Sequence, residues 1–234
     1  MKIVAMIPAR LGSTRVKNKN LRLINKKPLV QYIIDSAKKS EYIEDIYINS
    51  EAPIFNKIAD ENNIHYYQRN KELSSDKATN DDFALDFINK VECDILIQLL
   101  ATSPFLSTDE IDSFISNMID CNYDTLISVY DVRIESIYKG NPINFIQNKK
   151  TPPSQLLEPV KAYACGIMGW KVDNFRENIK KYGAAYHGGD GKIGFFEIKG
   201  FSTVDIDNEE DFVLAEAIAE SLEQPIKKPK YYSR

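Results

Sequence analysis

Residues 7–20, IPARLGSTRVKNKN, carry Arg10, Arg15, Lys17 and Lys19 and no acid, and the first acidic residue of the chain is Asp35. The concentration is one-sided, because the whole protein has a formal net charge of -4. Basic side chains around the small residues Gly12, Ser13 and Thr14 suit a polyanion, since turn N–H groups and cations converge on phosphate oxygens. Far along the chain, residues 202–212 read STVDIDNEEDF. Asp205 and Asp207 are two apart, so on a strand they share a face. Adjacent carboxylates repel unless protonated or bridged by a cation, and Mg2+ takes one or two carboxylates together with substrate phosphate oxygens. A helix opening at Asn208 accounts for Glu209, Glu210 and Asp211 as first-turn acids, but it leaves Asp205 and Asp207 unexplained.

Two further stretches could line the same site. In QRNKELSSDKATNDD, Arg69 follows an apolar run, and Ser74, Ser75 and Asp76 form a polar loop. This is either a solvated connector or a wall against a base or ribose. In QLLATSPF, Thr102 and Ser103 end a buried run and Pro104 shapes the turn. The loop after the first apolar run holds neither GxGxxG nor GK[ST], which sets aside the dinucleotide fingerprint and the P-loop there. The residues alone give a polyanion site with a candidate metal pair and leave the ligand open.

The elements that must position these residues alternate. KIVAMIP is an apolar run closed by Pro8, read as a strand buried on both faces. KPLVQYIIDSAKKS has helical spacing with Pro28 at its start, EDIYINS is a strand, APIFNKIADENN a helix and IHYYQ a strand. TNDDFALDFINKV is a helix opened by Thr79, CDILIQLLA a buried strand, STDEIDSFISNMI a capped helix and DTLISVY a strand. This rhythm predicts an α/β fold in three layers, a mostly parallel Rossmann-like sheet with helices on both faces. Residues 131–160 are rich in Pro, Asn and Lys and break it, as an inserted excursion serving substrate cover or subunit contact. AYACGIMGW, KIGFFEI and FSTVDID are read as late strands, KVDNFRENIKKY as a helix, and NEEDFVLAEAIAESLE as a closing helix capped by Asn208. The expectation is a single domain over 1–224 and a flexible tail over 225–234. In such a sheet, ligands bind beyond the carboxyl ends of the strands, where the basic loop falls.

Composition excludes several classes. The chain has 234 residues, 43% hydrophobic and 27% charged, as in a globular protein. A sequence pI near 5.4 argues against a general nucleic-acid binder. Cys93, Cys121 and Cys165 have no CxxC spacing and read as reduced thiols. The first apolar run is too short for a signal peptide and no stretch suits a spanning helix, so a cytoplasmic protein without membrane contact is expected.

Together the four stretches resemble the cytidylyltransferases that activate acidic sugars as CMP conjugates, the acylneuraminate and Kdo group, whose fold is nucleotidyltransferase- or glycosyltransferase-A-like. Ala9, Arg10, Ser13, Thr14, Lys19 and Asn20 match the opening loop A-R-x-x-S-K/T-x-x-x-x-K-N. Arg69, Leu73 and Asp76 match R-P-x-x-L-x-x-D, LLATSPF resembles L-Q-P-T-S-P-L, and DIDNEEDF resembles D-I-D-T-x-x-D-L. The resemblance implies that Ala9, Arg10, Gly12, Ser13, Arg15, Lys19, Asn20, Arg69 and Ser75 bind CTP. It implies that Asp205 and Asp207 carry Mg2+, and that Arg10, Lys19 and the acid pair serve catalysis. A sugar hydroxyl would attack the α-phosphorus and release pyrophosphate, for surface glycan biosynthesis in a homodimer. Leu100 and Ala101 replace the Gln-Pro of the pattern, so Gln98, Thr102, Ser103, Lys161 and Tyr163 are the candidate sugar contacts. A nucleotide-sugar glycosyltransferase and a catalytically silent nucleotide-binding protein are the alternatives.

Overall fold

β1 (Ile3–Pro8) buries alternate residues on opposite sides of a sheet, with Ile3, Ala5 and Ile7 in one core and Val4 and Met6 in the other. That is the double-faced burial its unbroken apolar run predicts. The computed structural model describes residues 1–13, 15–225, 228–229 and 231–232. Thr14 in the basic loop therefore lies outside the described residues, as does part of the tail expected over 225–234.

After the loop, β2 (Leu23–Ile24) and β3 (Lys27–Pro28) form a short antiparallel ladder that the sequence reading did not anticipate. Its turn residues Asn25 and Lys26 have φ of 45° and 66°, the left-handed pair a tight hairpin turn requires. The alternation then follows as read, through α1 (Leu29–Ala37), β4 (Asp45–Ser50), α2 (Ile54–Asn62) and β5 (His65–Gln68). It continues through α3 (Asn80–Ile88), β6 (Ile95–Leu99), α4 (Thr108–Asp120) and β7 (Thr125–Val132). The excursion holds a small hairpin, β8 (Ile137–Tyr138) with β9 (Asn141–Pro142), and its Ile134, Ile137, Tyr138 and Ile143 are exposed. β10 (Val160–Lys171), α5 (Val172–Tyr182), β11 (Ile193–Glu197) and α6 (Glu209–Glu223) complete the chain.

The sheet has seven strands in the order β11-β7-β10-β6-β1-β4-β5. β10 runs antiparallel to both its neighbours, and the other pairings are parallel. One face packs on Val30, Ile33 and Ile34 of α1, Phe55 of α2 and Phe114 of α4; the other packs on Phe83 and Phe87 of α3 and Phe175 of α5. This is the three-layer α/β architecture expected. Because β10 is reversed, its first half reaches the same sheet edge as the carboxyl ends of the parallel strands. There Cys165 takes a left-handed φ of 57°, where the β10–β7 register shifts between Tyr163 and Met168.

One expected strand is absent. FSTVDID begins as a 3-10 turn over Gly200–Thr203, and residues 204–207 join no ladder. The physical reason is the burial of Ile206, which is fully enclosed with Phe212, Ala215 and Ala219 of α6 in a third, smaller core. This draws the segment across the strand ends instead of along the sheet. A single backbone bond, from Ile206 N to Thr102 O at 2.9 Å, ties it to the loop after β6. Among the described residues no helix is long and apolar enough to cross a membrane.

Candidate functional site

The small core that diverts the acidic segment also anchors the basic loop. Val16, set between Arg15 and Lys17, is fully buried beside Ile24, Leu29 and Ile206. Two segments almost 190 residues apart are thus held together by apolar side chains that alternate with their charged ones. The loop is further fixed by Leu11 N donating to Glu51 Oε1 at 2.9 Å and by Asn20 Nδ2 donating to Arg10 O at 3.1 Å. Buried Lys19 donates through Nζ to the Ile206 carbonyl.

Charge is matched across this junction. Asp207 Oδ1 lies 2.9 Å from Arg15 and 3.6 Å from Lys19. Burial pulls the Lys19 ammonium below its ordinary range, while Asp207 and Asp205 act in the opposite direction. The Asp205 carboxyl is pushed above its usual range by burial, with the Asp207 charge adding to the effect and the Thr102 hydroxyl opposing it. Its Oδ1 is buried without a hydrogen-bond partner. The capping box of α6 fixes Asp207 as well, because Asp211 Oδ2 accepts from Asp207 N at 2.8 Å and from Asn208 N at 2.9 Å. Those first-turn acids therefore serve the site as well as the helix.

Arg69 forms the floor of the neighbouring cleft. It is 3% exposed, its Nε donates to Asn49 Oδ1 at 2.7 Å, and its Nη2 donates to Asn49 O at 2.6 Å. Its guanidinium lies 4.5 Å from the centre of the Phe83 ring. Burial holds this guanidinium down at about 10, although Glu51 draws it upward. Arg10, which lines the same cleft, pairs with Asp76 at 2.7 Å.

The cleft has two lobes. A narrower one of about 210 Å³ is lined by Arg10, Ser13, Arg15, Lys19 and Asn20 with Thr102. A wider one of about 560 Å³ is lined by Arg69, Ser75, Asp76, Tyr186 and His187. Arg10, Arg69, Asn80 and Phe83 belong to both lobes, so they form one continuous depression. Arg10, Ser13, Arg15, Lys19, Asn20, Arg69, Ser75 and Thr102 are therefore brought together as the sequence predicts. Asp205 and Asp207 join them through Thr102 and Arg15, although not as strand neighbours.

Other candidates fall elsewhere. Ala9 is fully buried and meets the sheet through its N–H, bonded to Asn49 O at 3.0 Å. Gly12 lines neither lobe, and a Cβ placed on it would meet nothing within 4 Å. Gln98 is fully buried between Met6 and Met168 in the sheet; it reaches the cleft only through Asn80, whose Oδ1 accepts from its Nε2 at 3.2 Å. Ser103 is fully buried against Gly166. Lys161 is turned along the sheet to Asp131 at 2.8 Å and lines neither lobe. Tyr163 lines neither lobe, but its ring centre is 5.5 Å from that of His187, which lines the wider one.

Asn49, Asn80, Phe83, Tyr186 and His187 were missed. Asn49 and Asn80 look in sequence like strand-end and helix-start polar residues. The signal for the last two was the run AYHGGDGK, in which aromatic residues sit beside glycines in a loop. Gly188 and Gly189 there have φ of 99° and 112°, and a Cβ on Gly189 would come within 2.5 Å of Asn178.

In chemical terms the arrangement offers cations and a hydroxyl for several phosphates, a guanidinium and polar loop for a heterocycle or ribose, and a carboxylate pair for a hard cation. Comparison with known proteins agrees in kind. A cytidylyltransferase family model matches residues 4–156. An N-acylneuraminate cytidylyltransferase from Escherichia coli O18:K1:H7 is 30% identical over 167 residues, which are 70% of this chain and 35% of that protein. The chain thus spans about a third of the length of that relative. Post-translational flagellin modification protein B of Campylobacter coli is 26% identical over 232 residues, covering 92% of this chain and 93% of its own. Among solved structures, a CMP:2-keto-3-deoxy-manno-octonic acid synthetase complexed with CTP superposes with a TM-score of 0.71 at 18% identity, over 95% of this chain and 100% of that one. At that identity the likeness is one of fold.

Proposed function

The chain belongs to the cytidylyltransferase family, and on that premise we propose that it joins CMP from CTP to an acidic sugar, a nonulosonate or a Kdo-like acid, and releases pyrophosphate. The observation that carries this reading is the convergence of the acid-free loop, the buried Arg69 and the Asp205–Asp207 pair on one cleft at the strand ends. In the reaction a sugar hydroxyl forms a bond to the α-phosphorus as the α–β bridging bond breaks. The protein's task in such a transfer is to position the groups and stabilise charge. Arg10, Ser13, Arg15 and Lys19 hold the phosphates, and Arg15 and Lys19 exchange Asp207 for phosphate oxygens as they do so. Asn20, Arg69 and Ser75 face the cytidine.

Asp205 and Asp207 fit Mg2+. Both offer oxygen, and the buried, unpartnered Asp205 Oδ1 is the kind of atom a hard cation satisfies. Bound there, Mg2+ would supply Lewis-acid neutralisation of the phosphate charge. The product feeds surface glycan assembly in this reading, and the exposed apolar residues of the excursion make the contact between two copies. The test is pyrophosphate release with CTP, Mg2+ and a panel of acidic sugars. Release is expected with CTP and at least about tenfold less with UTP or ATP, the effect of losing one well-placed set of base contacts. No release with any acidic sugar would overturn the reading.

A further inference from the structure

The acceptor wall carries no lysine or arginine, and the loop that builds it is held with unusual care. Asp81 Oδ1, at the start of α3, accepts from both Ala185 N and Tyr186 N at 2.8 Å. Trp170 Nε1 donates to the Tyr186 carbonyl at 3.2 Å, and Gly188 N closes the turn onto Ala185 O at 2.8 Å. The result is that Tyr186 and His187 line the wider lobe together with Arg69 and Ser75. The Tyr186 and His187 ring centres are 4.9 Å apart, and Tyr163 flanks His187 at 5.5 Å. Tyr186 also touches the Cys165 thiol, which feels the Asp205 and Asp207 charges. The wall is therefore Tyr186 and His187, flanked by Cys165 on the one and Tyr163 on the other.

In-line transfer fixes which substrate meets this wall. Pyrophosphate leaves into the narrower, cationic lobe, so the attacking hydroxyl comes from the opposite side of the α-phosphorus. With Asn20, Arg69 and Ser75 given to the cytidine, Tyr186 and His187 of the wider lobe are left for the acceptor. Of these two and the flanking Cys165 and Tyr163, His187 alone can carry positive charge, and it is exposed to the lobe. Lys161, one of the candidate sugar contacts, is paired with Asp131. We propose that His187 recognises the acceptor's carboxylate, that Tyr163 and Tyr186 pack on its carbon skeleton, and that Asp81 is the positioning residue for the wall. This rests on the acidic-sugar reading above.

The test uses pyrophosphate release with CTP and whichever of N-acetylneuraminate and Kdo supports turnover, alongside the methyl ester of the same sugar. His187→Ala is expected to raise the KM for the free acid at least tenfold while the KM for CTP stays within twofold. With the methyl ester, wild type and His187→Ala should be equal. Asp81→Ala should raise the acid-sugar KM in the same way, with CTP again unaffected and the fold verified by its thermal midpoint. An unchanged sugar KM in an active His187→Ala enzyme overturns this proposal and leaves the proposed function standing. An equal rise in both KM values also overturns it, since that would place His187 against the nucleotide. Wild-type inactivity with every acidic sugar overturns the two together.

Discussion

Replacing Asp205 with Asn should leave the ligand-free protein more stable than wild type while removing its activity. The carboxyl is buried, one oxygen has no partner, and Asp207 is close enough to repel it. An unsatisfied buried group costs about 1–3 kcal/mol, more when charged, and the loss of attraction to Lys19 takes back part of that. A net gain of about 1 kcal/mol remains, which for a chain of this size raises Tm by about 2–4 °C. The pH dependence has a definite sign. A carboxyl whose folded pKa lies above its ordinary 3.8 binds its proton more tightly in the native state. Wild-type stability therefore falls as pH rises from that ordinary value through the raised one. The Asn variant lacks this fall, so the gap between the two proteins is small in acid and fully open by neutral pH. Thermal melts from pH 4 to 8 without nucleotide or metal would measure it, with pyrophosphate release as the activity readout. Activity should drop by at least about 100-fold, the scale on which a group that stabilises transition-state charge acts. An Asn variant that is less stable at neutral pH, or a gap that closes as pH rises, would refute the reasoning.

Arg69→Lys removes the planar guanidinium that meets both the side chain and the carbonyl of Asn49. It should cost about 2–3 kcal/mol in urea unfolding, because a point ammonium leaves buried acceptors unpaired. Arg15→Gln should weaken CTP binding by about tenfold, on the order of one charge-assisted contact, while Lys17→Gln, which lines neither lobe, should stay within about twofold. Raising the salt concentration should narrow that difference, and equal effects of the two changes in a CTP titration would contradict the site. Asn208→Ala should cost about 1 kcal/mol through its lost cap. It should also weaken catalysis several-fold, because the same capping box holds Asp207; a purely thermal effect would separate helix from site.

The alternating core was legible because the buried strands are compact apolar runs and three of the helices carry their own cap. Thr79, Ser107 and Asn208 all form capping boxes in the structure. The basic loop stood out in the sequence because charge asymmetry survives without coordinates. What the sequence hid was burial that depends on distant partners. Spacing two apart made Asp205 and Asp207 look like strand residues, but the same alternation arises when Ile206 is pulled into a core with α6. Lys161 looked available until Asp131, 30 residues away in sequence, claimed it across the β7–β10 pairing. The wall of Tyr186 and His187 stayed invisible because a glycine-rich loop has no periodicity, and its anchors include Asp81, more than 100 residues earlier.

An acidic protein can keep so cationic a loop because, without ligand, it neutralises the loop from within. Arg10 meets Asp76, Arg15 meets Asp207 and Arg22 meets Glu209, each pair joined across at least 66 residues of sequence. These pairs are solvent-exposed, and such contacts contribute about 0–1 kcal/mol each. A charge-assisted bond to a phosphate oxygen is stronger, about 1.5–3 kcal/mol, so exchanging acid for phosphate runs downhill. The remaining negative charge of the protein opposes this only weakly, since screening sets in over about 8–10 Å. The exchange has a consequence for Asp207. Once phosphates occupy Arg15 and Lys19, Asp207 keeps only the backbone anchor through Asp211 and regains a free carboxylate beside Asp205. Two adjacent anions with no cation between them repel, so under the proposed function nucleotide binding would raise the affinity of this pair for a divalent ion. Nucleotide and metal should therefore bind with positive coupling, each tightening the other by the same factor, and Arg15→Gln should weaken that coupling while Lys17→Gln leaves it intact.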